Sequence, residues 1–491
     1  MPIRLNTELL RDRTRQLLGE VGLKVESDEL TARMLARGCK PSPSGRVRIP
    51  AELIAEFVAY QETTRARDEA DQELVPLCGP DWTHWLQWTG TMDAVRERLQ
   101  HEFLMPAFDC GPTQLYDFPS RRVLPVDTPI FIEMMKFAEA TPEIGYVSTW
   151  YRQDVPQATE RLASLILGLQ HTTKVDGIEA IDPAVIRYLV EMGEIVGGRP
   201  RDGRFLAGSQ CLISPLILDH RAAADMLERA RVGVPRYHAA SMPTIGVSTP
   251  VTPASAIVIG AAEILGCLVA AYSLAPEGDL TGRMISTVAD MRTADAASAG
   301  PENALVIVGV KRLFEDHFGG HLWSETYFSP SSNRPGLQAV YQNFYSGGAF
   351  ARLVGNLDIP YPGMGTLDNG GVGSPTQFML DLEIRKSQFA LQPEVEVSEA
   401  TLLSEAIAAH VESEETFLTS DHTLDHFREL WTSPLFPHSL PEAGPDDEQR
   451  VLDLCEERWR ANLAAWQPPD LPDDTLQALM GVLTRAEQEL L

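Results

Sequence analysis

Residues 205–241 read FLAGSQCLISPLILDHRAAADMLERARVGVPRYHAAS and show most clearly how the chain is organised. A short apolar, β-prone run at 205–212 is followed by a helical stretch that begins near Leu218. A second β-prone run follows at 235–241. A strand, a helix and a strand in this order predict a parallel βαβ unit, since parallel strands need a long crossover connection.

The same alternation extends in both directions and gives eight strand–helix units. The β-prone runs are 109–117, 145–150, 174–181, 205–212, 235–241, 283–288, 322–328 and 351–357. The helical stretches begin near Pro129, Pro156, Asp182, Leu218, Pro253, Pro301, Pro335 and Ser374, several with proline in the first turn. A spacing of roughly 35 residues per unit is typical of a (β/α)8 barrel. We therefore expect an α/β protein with a TIM barrel. The alternative is a doubly wound sheet, because periodicity does not show closure.

Two mainly helical segments flank the eight units. We expect an N-terminal cap at 1–105, a barrel catalytic domain at 106–392 and a C-terminal helical extension at 393–491. The long apolar run Ala254–Ala275 carries Glu263 and is long enough to span a bilayer. Since the surrounding α/β sequence is amphipathic, we predict that this run is a helix buried in the core, and we predict no membrane anchor.

Charge and composition narrow the class of protein. The 491 residues include 69 acidic side chains against 41 Lys and Arg, a formal charge of −28 at pH 7. Such a chain is unsuited to neutralising phosphates, so we expect no nucleic-acid partner. The six cysteines form no CxxC pair, and the N-terminus has no apolar signal-peptide region. These features predict a cytoplasmic protein with reduced thiols.

Familiar catalytic patterns are missing from the sequence. There is no GxSxG elbow of a serine hydrolase and no GxGxxG fingerprint of a dinucleotide site. His422 and His426 stand four residues apart, which would place two imidazoles on one helix face for a metal. No third ligand is evident, so a helix with solvated histidines is favoured and we predict no metal site.

Aromatic residues collect where the predicted strands end, which is where barrels carry their chemistry. They are Trp150, Tyr151, Tyr327, Phe328 and Tyr361. Aromatic faces bind quaternary ammonium ions, each contributing roughly 0.5 to 2 kcal/mol when the cation is desolvated. We predict that at least two of the five face such a cation, whereas any one of them alone is more often part of a core.

Several segments resemble a known family. They are Gly22–Val25, Val47–Pro50, Ser214–Leu216, Pro243–Thr252, Asp290–Thr293, Gly300–Glu302, Asp381–Ile384, and His422–Thr423 with Arg428. In this order they are similar to segments of the trimethylamine and glycine betaine methyltransferase family, over about residues 5–470. The resemblance implies a (β/α)8 barrel that removes one methyl group from an N-methylated amine and passes it to cobalt(I) in a separate corrinoid protein.

The resemblance also bears on the substrate. Family members that act on trimethylamine carry pyrrolysine, whereas this chain holds only the twenty standard residues. It therefore resembles the pyrrolysine-free branch, whose members act on quaternary amines such as glycine betaine. Two positions depart from the family: Ser332-Asn333-Arg334 replaces an Asp-Ser-Lys type stretch, and Asn343 stands where an acidic residue is expected. Direct transfer to tetrahydrofolate and a non-catalytic betaine-binding protein are the alternatives.

The predicted site residues lie on the loops after the strands. Asn333, Arg334 and Asp290 are the expected catalytic residues, and the five aromatics with Arg292 are expected to bind substrate. Arg292, Arg334 and Asn333 could bind a betaine carboxylate, and the alternative for Arg292 is a structural ion pair with Asp290 or Asp295. Glu302, Asp358 and Asp368 are candidates for binding the methyl acceptor. We expect no tightly bound cofactor, and we expect a homo-oligomer.

Overall fold

The computed structural model describes residues 3–71, 107–108, 111–175, 177–198, 200–201, 203–319, 321–323, 330–354, 364–390, 395–413, 416–436 and 447–491. Its helices are α1 (Thr7–Glu20), α2 (Asp28–Ala36), α3 (Ala51–Asp71), α4 (Thr128–Ala140), α5 (Gln157–Leu169), α6 (Ile186–Gly197), α7 (His220–Val232), α8 (Pro253–Leu274), α9 (Pro301–His317), α10 (Leu337–Val354), α11 (Pro375–Phe389), α12 (Glu399–Leu402), α13 (Ser404–Ser413), α14 (Asp421–His426), α15 (Asp447–Ala464) and α16 (Asp473–Leu490).

The strands are short. They are β1 (Lys24–Val25), β2 (Lys40–Pro41), β3 (Val47–Arg48), β4 (Ala107–Phe108), β5 (Gln114–Asp117), β6 (Arg122–Pro125), β7 (Tyr146–Val147), β8 (Ile178–Glu179), β9 (Leu206–Ala207), β10 (Gln210–Leu212), β11 (Ile217–Leu218), β12 (Arg236–Ser241), β13 (Thr244–Ile245), β14 (Asp279–Met284), β15 (Thr287–Asp290), β16 (Asp295–Ala297), β17 (His321–Trp323), β18 (Thr366–Leu367) and β19 (Val372–Gly373).

Strands that lie in or directly beside the first seven predicted runs pair in parallel, each with the next one along the chain; the first of them, β4, precedes the predicted run 109–117. β4 pairs with β7, Val147 bridges Val175, and β8 pairs with β9. β10 pairs with β12, β12 with β14, and β14 with β17. A further parallel pair joins β19 to β5. Among the described residues these pairings do not form one closed sheet.

Three predicted strands differ from the structure. The run 109–117 does not form one strand, because β5 within it folds back on β6 as an antiparallel hairpin. The sixth strand, β14, begins four residues before the predicted start at 283. The eighth prediction, 351–357, is wrong up to Val354, where the chain is still helical. Ala349 and Leu353 pack on the core at helical spacing, so these apolar residues belong to α10. Residues 355–357 lie outside the described residues.

Seven of the eight predicted helix starts are confirmed to within two residues, because the signals that mark them are local, whereas α6 begins four residues after Asp182. The side chains of Asp127, Asp219 and Thr252 accept hydrogen bonds from backbone N–H groups in the first turns of α4, α7 and α8. Asp182 caps a 3₁₀ turn at Pro183–Val185 that leads into α6. Such caps satisfy donors that the helix cannot.

The apolar helix α8 forms the centre of the largest core. By length and composition it could cross a membrane, yet 78% of its most apolar window is buried inside the protein. The prediction of a core helix is therefore confirmed. Leu18 and Leu23 of the N-terminal segment pack over Gly266 of α8, where a Cβ would lie in ordinary contact with them, at 3.4 and 3.6 Å. The first helices thus share a core with the strand–helix units.

The C-terminal residues divide into two parts with different surroundings. α15 packs against α4 and α11, and α16 packs against α5 and α6. By contrast, residues 395–413 and 416–432 contain no buried side chain. We call these two ranges the arm.

Candidate active site

Trp150 and Tyr151 follow β7, at the end where the strand–helix loops begin. Trp150 is completely buried. Its ring lies against Gly373 and Pro112, because a Cβ on Gly373 would lie 2.3 Å from the Trp150 ring and 2.9 Å from Pro112. The Arg161 guanidinium donates to the Trp150 carbonyl at 3.0 Å and holds this strand end in place.

Tyr151 is bound on two sides. Its hydroxyl donates to a Glu179 carboxylate oxygen at 3.2 Å, and the Arg161 guanidinium lies 3.6 Å from its ring centroid. Burial, assisted by Glu179, raises the pKa of the phenol. One cation of the protein itself therefore already lies over this ring. The other predicted cage residues, Tyr327, Phe328 and Tyr361, lie outside the described residues, as does Asp358.

Asp290 and Arg292 are brought together as an ion pair. The guanidinium donates to both Asp290 carboxylate oxygens, at 3.1 and 3.0 Å, and the Arg292 amide donates to one of them at 2.9 Å. The bonds from Arg292 lower the pKa of Asp290. The pair lies at the turn of the β15–β16 hairpin, with the Arg292 side chain 89% exposed. Arg292 therefore forms the structural ion pair with Asp290 that was the alternative to binding a carboxylate.

Asn333, Arg334 and Asp368 lie on neighbouring loops. The Asp368 amide donates to the Ser332 carbonyl at 2.8 Å, and the Ser332 hydroxyl donates to the Arg334 carbonyl at 2.7 Å. The side chains of Asn333, Arg334 and Asp368 are exposed. Glu302 is also exposed, in the first turn of α9.

Asn369 ties three loops together and was missed by the sequence analysis. Its side-chain oxygen accepts from the hydroxyls of Ser298 at 2.8 Å and Ser331 at 3.1 Å. Its side-chain nitrogen donates to the Ala296 carbonyl at 3.1 Å. Its φ of +53° lies in the left-handed region, which asparagine tolerates better than most residues. The loops after the sixth and seventh strands are thereby fixed to the β18–β19 hairpin.

Beneath this hairpin lies a buried carboxyl group, Asp381 of α11. It accepts hydrogen bonds from the Gly365 amide at 3.0 Å, Gln377 at 2.7 Å and Asn343 at 3.2 Å. Burial raises the pKa of Asp381 to about 7, against the opposing effect of these donors. Asn343, which stands where an acidic residue was expected, therefore presents a donor rather than a second negative charge to Asp381.

A second buried carboxyl group, Glu263, fastens two further strand ends. It lies in the apolar helix α8 and accepts from the Leu216 amide and the Ser214 hydroxyl, each at 2.8 Å, and from the Ser241 hydroxyl. Ser214 follows β10 and Ser241 ends β12. Burial raises the pKa of Glu263.

The side of the sheet that faces away from the helices carries charged and polar groups. Ile178, Tyr237 and Leu280 pack in the cores with the helices. Because side chains alternate along a strand, Glu179, His238 and Thr281 point to the other side. His238 and Thr281 share a hydrogen bond of 2.7 Å between neighbouring strands. Burial, together with Arg283 and Arg229, lowers the pKa of His238 well below its usual range, so its ring is neutral at pH 7.

Glu179 has a guanidinium as a second neighbour. Arg221 lies 3.8 Å from its carboxylate, on the opposite oxygen from Tyr151. A small cleft beside this pair, lined also by Gly208 and Cys211, has a cavity volume of about 10 Å³, room for about one water molecule. Burial and the nearby Glu179 raise the pKa of the Cys211 thiol to about 12, so it is not a nucleophile at neutral pH.

Comparison with known proteins gives the family. A model of the trimethylamine methyltransferase family matches residues 104–490. The chain belongs to this family. Trimethylamine methyltransferase MttB of Desulfitobacterium hafniense (strain DSM 10664 / DCB-2) is similar to it, at 25% identity over 319 residues. The match covers 62% of this chain and 60% of that relative. The family predicted from the motifs is confirmed.

In this member of the trimethylamine methyltransferase family, the histidine pair of α14 is exposed. The rings of His422 and His426 lie 4.4 Å apart, and Glu429 accepts from His426 at 2.8 Å. Within the parts of the chain that the structure describes, no group of three or more His, Cys, Asp or Glu side chains is arranged to hold a metal ion.

Apart from Asn369, the polar residues whose roles sequence reasoning missed share one property: each lies inside an apolar run. Glu179, His238 and Glu263 interrupt IEAI, YHAA and AAEILG. Buried polar groups cost free energy unless they are paired, so such interruptions signal a structural or chemical role. That signal was available in the sequence, but the partners of each group were not.

Proposed function

We propose that this protein is a methyltransferase that takes a methyl group from a quaternary amine of the glycine betaine type and passes it to the cobalt(I) of a corrinoid protein. The observation that carries the proposal is the family match over residues 104–490. We further propose that its strands form a (β/α)8 barrel and that the protein is cytoplasmic. Six successive parallel pairings from β4 to β17, and the parallel pair of β19 with β5, support the barrel.

The chemistry of a quaternary donor suits the residues of this site. The C–N bond breaks with its electron pair going to nitrogen, which leaves as a neutral tertiary amine, while the methyl carbon receives a pair from the acceptor. No proton moves in this step, so no general base is needed. The neutral His238 and the thiol of Cys211 fit that requirement. Catalysis then depends on alignment and exclusion of water.

Glycine betaine carries a cation and a carboxylate a few bonds apart, and Glu179 with Arg221 offers the complementary charges. The carboxylate of Glu179 and the ring of Tyr151 would attract the ammonium group. Arg221 would attract the carboxylate; it now lies 3.8 Å from Glu179, so the two exposed side chains would have to separate for a zwitterion to bind between them. Arg334, exposed on the loop after the seventh strand, is a second candidate for the carboxylate.

The acceptor is proposed to be a protein because the strand-end loops present apolar side chains to solvent. Ile213, Met242, Val247, Val251 and Met291 follow the fourth, fifth and sixth strands and are each more than 40% exposed. A patch of this kind is typical of a protein-docking surface. Tetrahydrofolate, a small acceptor, needs no such patch.

The test measures dimethylglycine formed from glycine betaine by the purified chain. Three mixtures are compared: a reduced corrinoid protein, tetrahydrofolate without any cobalamin, and no acceptor. Product only with the corrinoid protein supports the proposal. Product with tetrahydrofolate alone overturns the choice of acceptor. Binding of betaine without product in any mixture identifies the non-catalytic alternative.

A substitution connects the activity with the site. Glu179→Gln should raise the KM for glycine betaine at least tenfold, because it removes the negative charge and leaves Tyr151 and Arg221 in place. Glu302→Gln, an exposed carboxyl group in α9, tests a predicted acceptor residue in the same assay and should alter the KM for the acceptor instead. An unchanged betaine KM in Glu179→Gln rejects Glu179 as the ammonium-binding group.

A further inference from the structure

Arg161 of α5 is buried against the segment that follows β7. Only 3% of its surface is exposed. Its guanidinium donates to the carbonyl oxygens of Thr149 at 3.1 Å and Trp150 at 3.0 Å, and its Nε atom pairs with the carboxylate of Glu160. A guanidinium presents its donors in a rigid planar fork, so bonds to two successive carbonyls fix the course of the chain there. The segment that leads into Tyr151 is therefore held in one position.

The same guanidinium holds the ring of Tyr151. Its central carbon lies 3.6 Å from the ring centroid, which is a close cation–π contact. Gly111 contacts the ring as well, since a Cβ there would lie 3.0 Å from the ring carbon Cε2. The φ of Gly111 is +53°, so any larger residue would meet both backbone strain and the ring. With the ring fixed in this way, the Tyr151 hydroxyl donates to the Glu179 carboxylate at 3.2 Å.

The Tyr151 hydroxyl is a close donor to Glu179, whose side chain is otherwise open to solvent. This side chain is 41% exposed, and Arg221 approaches its other carboxylate oxygen only to 3.8 Å. A bond from a phenol to a carboxylate is charge-assisted and is stronger than a bond between neutral groups. Burial and Glu179 raise the pKa of the phenol against the opposing effect of Arg161, so the hydroxyl keeps its proton at neutral pH. It therefore remains a donor to Glu179 under working conditions.

We propose that Arg161 is a positioning residue that acts through Tyr151. It fixes the ring, the hydroxyl on that ring fixes the Glu179 carboxylate, and Glu179 then meets the ammonium group of the substrate. This inference rests on the proposed function, because it takes Glu179 as the ammonium-binding group. Arg161 itself is too deeply buried to contact a substrate. Its replacement should therefore weaken substrate binding through the two intervening side chains and leave the transfer step nearly unchanged.

The first test is a double-mutant cycle on the KM for glycine betaine. Arg161→Lys keeps the charge beside Glu160 and loses the planar fork over the ring, so it should raise KM roughly tenfold and change kcat less than about threefold. Tyr151→Phe keeps the ring and loses the hydroxyl, so it should raise KM to a similar extent. The double variant should match Tyr151→Phe to within about twofold, because the route from Arg161 to Glu179 runs through the hydroxyl. Two effects that multiply instead would overturn the proposal.

Arg152→Lys is the matched control for damage to the buried cluster. The Arg152 amide donates to Glu160 at 3.0 Å, and its guanidinium donates to the hydroxyls of Ser164 at 2.9 Å and Thr128 at 3.1 Å. This guanidinium lies over the ring of Phe131, whereas that of Arg161 lies over Tyr151. Arg152→Lys should therefore leave the betaine KM within about twofold of wild type. A rise as large as that in Arg161→Lys would assign both effects to the cluster and overturn the proposal.

A measurement without substrate separates this inference from the proposed function. Fluorotyrosine is incorporated at all eleven tyrosines, and the fluorine NMR signal of residue 151 is the one that Tyr151→Phe lacks. This signal should shift in Glu179→Gln and in Arg161→Lys and stay in place in Arg152→Lys. In wild type the ring should not flip on the millisecond timescale, a result that requires no Arg161 variant to fold.

The outcomes distinguish the two ideas. A signal that stays in place in Glu179→Gln or Arg161→Lys, or a ring that flips freely in wild type, overturns the positioning role of Arg161. Failure of wild type to bind glycine betaine overturns the proposed function instead, and the fluorine signal then decides by itself whether Arg161 positions Glu179 through Tyr151.

Discussion

Asp381 shows how burial and hydrogen bonds oppose each other at a single residue. Three donors reach its carboxylate and favour the charged form, yet burial raises its pKa to about 7. An unfolded aspartic acid titrates near pH 3.9. The folded protein therefore binds a proton more tightly than the unfolded chain between these two values. Stability from this group is complete below the unfolded pKa and is lost as the pH rises toward 7.

We predict that Asp381→Asn removes this pH dependence. Between the unfolded and the folded pKa of Asp381, the unfolding free energy of wild type should fall by on the order of 3 to 4 kcal/mol. The part of this change that occurs above pH 5 is measurable. Urea unfolding between pH 5 and 8 should show wild type losing stability with rising pH relative to Asp381→Asn. Asp368→Asn, an exposed carboxyl in the β18–β19 hairpin, serves as control and should follow wild type. Parallel profiles for wild type and Asp381→Asn would contradict the prediction.

The two arginines that the sequence predicts for binding the carboxylate, Arg292 and Arg334, differ in their surroundings, and this difference decides which of them should affect catalysis. Arg292 is held by Asp290. Arg334 is exposed, and among the described residues no carboxylate lies within ion-pair distance of it. A guanidinium–carboxylate contact is worth about 1.5 to 3 kcal/mol. We predict that Arg334→Ala lowers kcat/KM for glycine betaine by roughly 10- to 100-fold, whereas Arg292→Ala changes it less than threefold. Steady-state kinetics with glycine betaine and with a carboxylate-free quaternary amine checks this. For the carboxylate-free amine, kcat/KM should be the same in wild type and Arg334→Ala.

At the scale of elements, helices were predictable and strands less so, for a physical reason. Helix starts depend on a cap and a first turn, such as Thr252 before Pro253, and these signals lie within four residues. Strand ends depend on partners that are distant in sequence. Thus Gln114–Asp117 pairs with a neighbouring hairpin strand rather than continuing the first strand, and Leu353 was read as part of a strand although it belongs to α10.

The β18–β19 hairpin is the element that connects the parts of the candidate site. Gly373 at one end lies against Trp150, and Asn369 at its turn binds the loops after the sixth and seventh strands. The sequence predicts that Asp368, at this turn, lies on a strand-end loop. It could not assign Asn369, because the hydroxyls of Ser298 and Ser331 are brought to it by the fold.

We predict that Asn369→Ala and Asn369→Gly separate the two roles of this residue. Both lose the side-chain bonds to the neighbouring loops, so both should lower kcat for methyl transfer at least tenfold. Only alanine also strains the left-handed backbone, by about 1 to 2 kcal/mol. The Tm should therefore be highest for wild type, lower for Asn369→Gly and lowest for Asn369→Ala. Equal kcat in wild type and Asn369→Gly would show that the side-chain bonds are irrelevant to the reaction.

At the scale of the whole molecule, the predicted division into a cap, a barrel and an extension is crossed by shared cores. α1 and α2 pack on α8, and α15 packs on α4 and α11. The sequence indicated helical flanks but not what they cover, because an amphipathic helix shows that it has an apolar face and not which surface meets it. The arm carries the same kind of pattern, and its large apolar side chains are exposed in the part of the chain that the structure describes.

The last helix should therefore be a structural part of the strand–helix units rather than an appendage. Leu479, Val482 and Leu483 of α16 are buried in one core with side chains of α5 and α6. We predict that Leu479→Ala lowers the unfolding free energy by about 2 to 5 kcal/mol, since it removes a buried side chain and leaves a cavity. Met480→Ala, the exposed neighbour in the same helix, should cost less than about 0.5 kcal/mol. Urea unfolding gives the unfolding free energy of both variants. A chain that ends at Pro472 lacks α16, so the apolar faces of α5 and α6 become exposed and it should fail to unfold cooperatively. If Leu479→Ala unfolds like Met480→Ala, α16 does not contribute to the core, and the predicted extension at 393–491 would then be separable at this helix.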